Sequence, residues 1–327
     1  GRQDYNGDFD QWLQMVREAY PDPANPMADV NRRHFAESAA AGARLAIEAG
    51  TRAVGDISRF DEVYHVVAES GLAGVSFVEL FGLGVPWSTS ATDRIKHVCQ
   101  QKSDRPLTRG LQPHAPYSAG PSVFNQAAAS GRPVCTHLAE SPEEVRFITE
   151  GDGPFLDLLK RIGKWEESFA DGYGRGDSPA AWLDGVTKQH ADWLLAHCNY
   201  VSDDDIQLIA DRGWSVAYCP RASDYFRHRD HRYREMLDAG VNVALGTDSI
   251  ICHGTLSIVD EMRHLRQRDG TDARQLLAMA TIHGMKALRL NPMDATFLVG
   301  RGPGLLALGY DANESADPLA AALLASG

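Results

Sequence analysis

The sequence predicts an α/β chain with a parallel sheet, arranged as a (β/α)8 barrel of the TIM type. Three observations carry this expectation. Short β-type runs recur along the chain with helical patterns between them. The runs are near-continuous in apolar residues, as in strands buried on both faces, rather than strictly alternating. The polar residues able to do chemistry fall at the C-terminal ends of several different runs, which favours a barrel over an open doubly wound sheet.

Taken in order, the strand candidates are RAVGDIS (52–58), GVSFVELFG (74–82), LTRGLQPH (107–114), RPVCTHLAE (132–140), ADWLLAHCNY (191–200), SVAYCP (215–220) and VNVALGTDS (241–249). The helix candidates have period-3.6 patterns and stop at glycine: NRRHFAESAAAGARLAIEAG at Gly50, VSDDDIQLIADRG at Gly213 and REMLDAG at Gly240. DEMRHLRQR and DARQLLAMATIHGMKAL continue the helical layer. Two regions break the rhythm. Residues 141–190 form a long insert with a helical piece (GPFLDLLKRIG) and a Gly/Asp/Ser-rich turn, the kind of segment that often serves as a lid. Residues 1–290 are assigned to the barrel. The tail, 291–327, has short β-like runs (TFLVG, GLLALG) and is assigned to part of a small β subdomain.

Composition narrows the function classes. The chain has 327 residues, 43% hydrophobic and 23% charged, enough for a sizeable core. A net charge of -12 argues against a nucleic-acid partner, because phosphate binding wants a basic face. No apolar run approaches the ~18 residues of a membrane span. The five cysteines (Cys99, Cys135, Cys198, Cys219, Cys252) form no Cys-x-x-Cys pair, which suits a reduced, cytoplasmic setting.

Imidazoles and a carboxylate at separate strand ends are what a protein needs to hold a divalent cation. His137 ends VCTHL, His197 ends LLAH, and Asp248 follows the VALGT run. Singly, each histidine could be a core residue bonded to a carbonyl, and Asp248 could cap the helix LSIVDEMRHL. Glu140, three residues after His137, could point over a substrate or merely favour a helix N-terminus. His114 closes QPH before a turn. Together, five polar groups at matching strand ends ask for one common cause, and hydrolysis at a metal is the chemistry they suit. His34, His65, His97, His190, His228, His231, His264 and His283 are read as surface or packing residues, and His253 is left open. No Gly-x-Ser-x-Gly elbow or phosphate-binding loop occurs, and FGLGVP lacks the third glycine of a dinucleotide fingerprint.

THLAES, LLAHC, YCPRAS and LGTDS, in that order, resemble the deaminase and chlorohydrolase branch of the amidohydrolase superfamily, over roughly residues 8–310. The resemblance implies metal ligation by His137 and Asp248, with Asp248 also catalytic as acceptor of a proton from the water to be activated, and a place for His197 beside that water. It further implies a substrate contact at His114 and a proton donor at Glu140. The implied cofactor is one divalent ion, zinc first, with iron or manganese as alternatives. GDGPFLDLLKRIG and the stretch after Cys219 look most like aminofutalosine-deaminase-type members, which act on an adenine-bearing nucleoside. On that reading Arg221, with Ser223 and Tyr225, is a candidate contact for the polar end of the substrate. The family's His-x-His pair on the first strand occurs nowhere here, so the chain is expected to carry strands two to eight. If that pair is truly absent, an inactive barrel that only binds a ligand becomes the alternative. A chlorohydrolase or amidase role stays open as well, and a homodimer is expected only from the general habit of soluble enzymes.

Overall fold

In the computed structural model, residues 28–83, 85–101, 105–187, 191–297, 304–310, 313 and 317–324 are described. The opening stretch with FDQWL, His190 and part of TFLVG lie outside them. Seven parallel strands run β1 (Ala53–Ser58), β2 (Ala73–Leu80), β3 (Leu107–Pro113), β4 (Val134–Leu138), β5 (Trp193–His197), β6 (Ser215–Tyr218) and β7 (Asn242–Leu245). They pair in chain order, each with its successor. All seven match the apolar runs of the sequence. Burial on both faces explains why those runs do not alternate: every residue of WLLAH in β5 is buried.

Helices supply the outer layer. They are α1 (Ala28–Glu48), α2 (Asp61–Glu69), α3 (Val85–Gln100), α4 (Pro116–Ala119) and α5 (Pro121–Ala128), then α6 (Pro142–Glu150), α7 (Pro154–Arg161), α8 (Pro179–Val186), α9 (Asp203–Arg212) and α10 (Pro220–Tyr225). α11 (Tyr233–Asp238), α12 (Ile258–Asp269), α13 (Ala273–Ala280), α14 (Ile282–Ala287) and α15 (Pro318–Leu324) complete the layer. Local sequence sets their ends. Ser202 accepts from Asp205 N to start α9, and Gly213, at φ 66°, stops it. DARQLLAMATIHGMKAL, expected as one helix, breaks into α13 and α14 at Thr281, whose φ of -128° and ψ of -89° leave the helical region.

The largest apolar cluster lies between sheet and helices, with Leu111, Val134, Leu195, Val216 and Val243 facing Phe124, Phe147, Ile209, Met236 and Leu265. A smaller one fills the concave side: Val75, Phe77, Cys135, Leu194 and Leu288. Close approach there requires glycine, since a Cβ on Gly110 would stand 2.6 Å from the Phe77 ring. The insert after β4 is packed rather than loose. Phe155 stacks on Tyr117 at 3.8 Å, and the Tyr173 hydroxyl donates to Pro116 O at 2.7 Å. In the tail, residues 304–310 form no strand, and α15 lies near α12, with Arg263 Nε donating to Ala322 O at 3.4 Å.

Candidate active site

The strand ends gather most of the backbone strain. Of the seven described non-glycine residues with positive φ, four are Ala139 (51°), His197 (73°), Cys198 (54°) and Asp248 (55°), just past β4, β5 and β7. Each such residue costs about 1–2 kcal/mol, and clustering of this kind is typical of functional sites.

Three imidazoles line up across the mouth. The rings of His114 and His137 are 5.0 Å apart, and those of His137 and His197 are 5.3 Å apart at 17°. His137 Nδ1 lies 2.9 Å from the carbonyl of His114 and 2.9 Å from the Gln112 amide nitrogen. A proton on Nδ1, donated to that carbonyl, leaves Nε2 as the nitrogen for a cation, the usual support of a metal-bound imidazole. His114 Nδ1 meets Ser118 Oγ at 2.7 Å, while its Nε2 lies 3.8 Å from Glu79, itself bonded to Arg59 Nε at 2.5 Å. Burial, and then the charges of His137, Arg59 and His197, push His114 well below the usual histidine range, so it is neutral.

Glu140 stands 3.6 Å from His197 Nε2. Burial raises its carboxyl to about 7; His137 pulls it down and Asp248 pushes it up. A carboxylic acid at that value holds a proton it can give near neutral pH. Its backbone is fixed from two sides. Glu144, buried at the start of α6, accepts from Ala139 N (2.9 Å) and Glu140 N (3.0 Å), while Asn199 Nδ2 donates to Glu140 O at 3.0 Å. Burial raises Glu144 to about 8; the backbone N–H groups of Glu140 and Ala139 pull it down, and the charge of Glu140 pushes it up.

Asp248 is exposed and accepts from Ser249 N at 2.7 Å. It does not cap the following helix; Ser257 does, accepting from Asp260 N at 3.2 Å. Its charge reaches both His197 and Glu140. His197 is pushed down by burial and raised by Asp248. His253 sits under the Asp248 loop, between the carbonyls of Thr247 and Thr255.

Four of the six residues singled out, His114, His137, Glu140 and His197, thus share one mouth, with Asp248 in electrostatic reach. Arg221 is engaged elsewhere, bonding Glu261 Oε1 at 2.7 Å and Thr255 Oγ1 at 2.9 Å, and Ser223 donates to Asn199 at 3.0 Å. Gln112, Glu144 and His231 were not singled out. Glu144 alone had a local signal, as the third helical residue after the Ser141 cap. The surface hollows beside Arg94 and Arg109 (about 500 Å³) and beside Asp272 and His283 (about 610 Å³) are lined by none of these residues.

For a metal, the donor chemistry fits as part of a set. His137 is prepared by its Nδ1 contacts, and Asp248 adds a carboxylate. Among the described residues no three His, Cys, Asp or Glu side chains converge, whereas zinc takes four ligands.

A seven-stranded parallel sheet in chain order, with imidazoles and carboxylates at its C-terminal rim, is a TIM-type barrel frame. The model of the amidohydrolase family matches residues 2–296, and the chain belongs to that family. Aminodeoxyfutalosine deaminase of Deinococcus radiodurans is 30% identical over 281 residues, 80% of this chain and 66% of its own length. The fold resembles Helicobacter pylori aminofutalosine deaminase, with a TM-score of 0.71, 23% identity and coverage of 89% of this chain and 70% of that one. It also resembles a zinc-bound adenosine deaminase of Xanthomonas campestris, with a TM-score of 0.65, 22% identity and coverage of 85% and 61%. The chain therefore spans less than two thirds of the length of the deaminase from Deinococcus.

Proposed function

We propose that this chain carries the catalytic face of a metal-dependent hydrolytic deaminase acting on an adenine-bearing nucleoside, of the aminodeoxyfutalosine kind. The observation that carries the reading is Glu140, buried, raised to about 7 and 3.6 Å from His197. A bound divalent ion, zinc by donor type and by the zinc in the Xanthomonas enzyme, would bring the pKa of water to about 7. His137 Nε2 and Asp248 would hold that ion. Glu140 would give its proton to a ring nitrogen of the base, which makes the adjacent carbon electrophilic, while Asp248 would take a proton from the attacking water, oriented by His197, and pass it to the amino group. Ammonia would then leave as the new hydroxyl returns its proton to Glu140. His114, neutral and stacked 4.8 Å from Phe81, offers Nε2 to the substrate. Arg221 is a substrate contact only if it leaves Glu261. None of the five cysteines is in a disulfide, in keeping with a reduced, cytoplasmic setting, and no helix among the described residues is long and apolar enough to cross a membrane.

The test is an ammonia-release screen of adenine nucleosides, including 5′-methylthioadenosine and aminodeoxyfutalosine, with metal-loaded protein. Ammonia release with a stoichiometric metal ion supports the reading. Chloride or carboxylate release without ammonia would move the chain to another branch of the family, and binding without turnover would make it an inactive barrel.

A further inference from the structure

We propose that His231 is a positioning residue for His197, holding it in place through the backbone; this rests on the role given to His197 above. β5 ends in two consecutive residues at positive φ, His197 at 73° and Cys198 at 54°. Side chains with a Cβ resist that conformation, so neighbouring bonds must impose it. From one side the turn is sewn to β4: Cys198 N donates to Leu138 O at 2.9 Å, and Tyr200 N to Ala139 O at 3.1 Å. From the other side, the ring of His231 places Nε2 2.8 Å from the carbonyl of His197.

A carbonyl only accepts, so the proton sits on Nε2. Burial pushes the His231 ring down to about 4, and the ring is neutral. Its Nδ1 is then a bare acceptor, sealed from solvent and without a partner among the described residues. An unsatisfied buried nitrogen is unfavourable, and an apolar ring in the same place would avoid it. What histidine supplies in exchange is the bond to His197.

The ring is itself fixed. It stacks on Tyr218 at 3.7 Å and 19°, and the Tyr218 hydroxyl accepts from Arg268 at 2.9 Å. Arg268 is pinned by Asp269 at 2.8 Å and Asp224 at 3.0 Å. The loop bearing His231 also holds Arg227 (62°) and Asp230 (56°) at positive φ. Six of the seven described residues of this kind therefore belong either to the strand-end rim or to the loop that braces it. The brace runs from an ionic cluster on α10 and α12 to the one carbonyl that decides where the imidazole of His197 points.

The His231→Phe variant keeps the stack but removes both the hydrogen bond and the orphaned nitrogen. Its melting temperature should stay within about 3 °C of the parent or rise. Its kcat should fall about tenfold to a hundredfold, with KM within about threefold. His231→Gln, whose amide nitrogen reaches the place of Nε2, should recover most of kcat. Nitrogen-15 NMR of the His197 imidazole in metal-free protein gives a readout that needs no turnover: its resonances should move in the Phe variant and return in the Gln variant. Parent-like kcat together with unmoved His197 resonances in the Phe variant would overturn the proposal. So would a large drop in melting temperature with no recovery in Gln. A parent protein without deaminase activity would instead remove the functional reading, and the NMR comparison would still decide the brace.

Discussion

Replacing Glu140 by Gln should stabilise the metal-free protein at high pH while removing its activity. Burial is the main influence on this carboxyl, which sits at about 7 instead of its ordinary 4.5. It therefore binds its proton more tightly in the folded chain than in the unfolded one. Below pH 4.5 both states are protonated and the shift has no effect. Between 4.5 and about 7 the unfolded chain ionises first, and stability falls by about 1.4 kcal/mol for each pH unit. Above 7 the folded protein carries the full deficit, roughly 3 kcal/mol. Gln keeps the shape without the charge. The variant should match the parent near pH 4 and exceed it by roughly 2–3 kcal/mol near pH 8. Urea denaturation in the presence of a chelator, at both pH values, measures this. The metal-loaded variant should lose about 10²–10⁴-fold in turnover. A stability difference that ignores pH would refute the buried-acid argument, and turnover within a few-fold would remove Glu140 from the chemistry.

Glu144→Ala leaves the N–H groups of Ala139 and Glu140 without their acceptor and should cost about 3 kcal/mol near pH 5. Because burial holds the parent carboxyl at about 8 instead of 4.5, the parent loses stability as pH climbs between those values, so the gap should narrow over that range and stay narrow above it; denaturation across pH follows both effects. Gln112→Leu removes the amide that donates at 3.1 Å to the His114 carbonyl, the group that orients His137, and should weaken zinc binding about tenfold, read by competition with a coloured chelator. Unchanged affinity would mean that the His114 carbonyl alone orients the ring.

The sheet was legible because strands covered on both faces need long apolar runs, and no other element of that length and composition competes for VCTHL or WLLAH. The rim was legible for the same reason. Polar side chains such as His137 and Asp248 stand out where an apolar run stops. The residues that support them were not, because their partners come from register and loop geometry. Gln112 meets His137 only because β3 pairs with β4. His231 reaches His197 across 34 positions of chain, on a loop whose course no local pattern encodes. Arg221 read as a contact for the polar end of the substrate, yet Glu261, forty residues on, claims its guanidinium. The break at Thr281 was hidden because an apolar helical pattern runs through it.

Val75, Phe77, Cys135, Leu194 and Leu288 form one packed cluster, and two of its members precede rim histidines on the same strands, Cys135 before His137 on β4 and Leu194 before His197 on β5. A void opened there lies only two or three residues from the rings, so the firmness of this floor sets how tightly the two imidazoles are held.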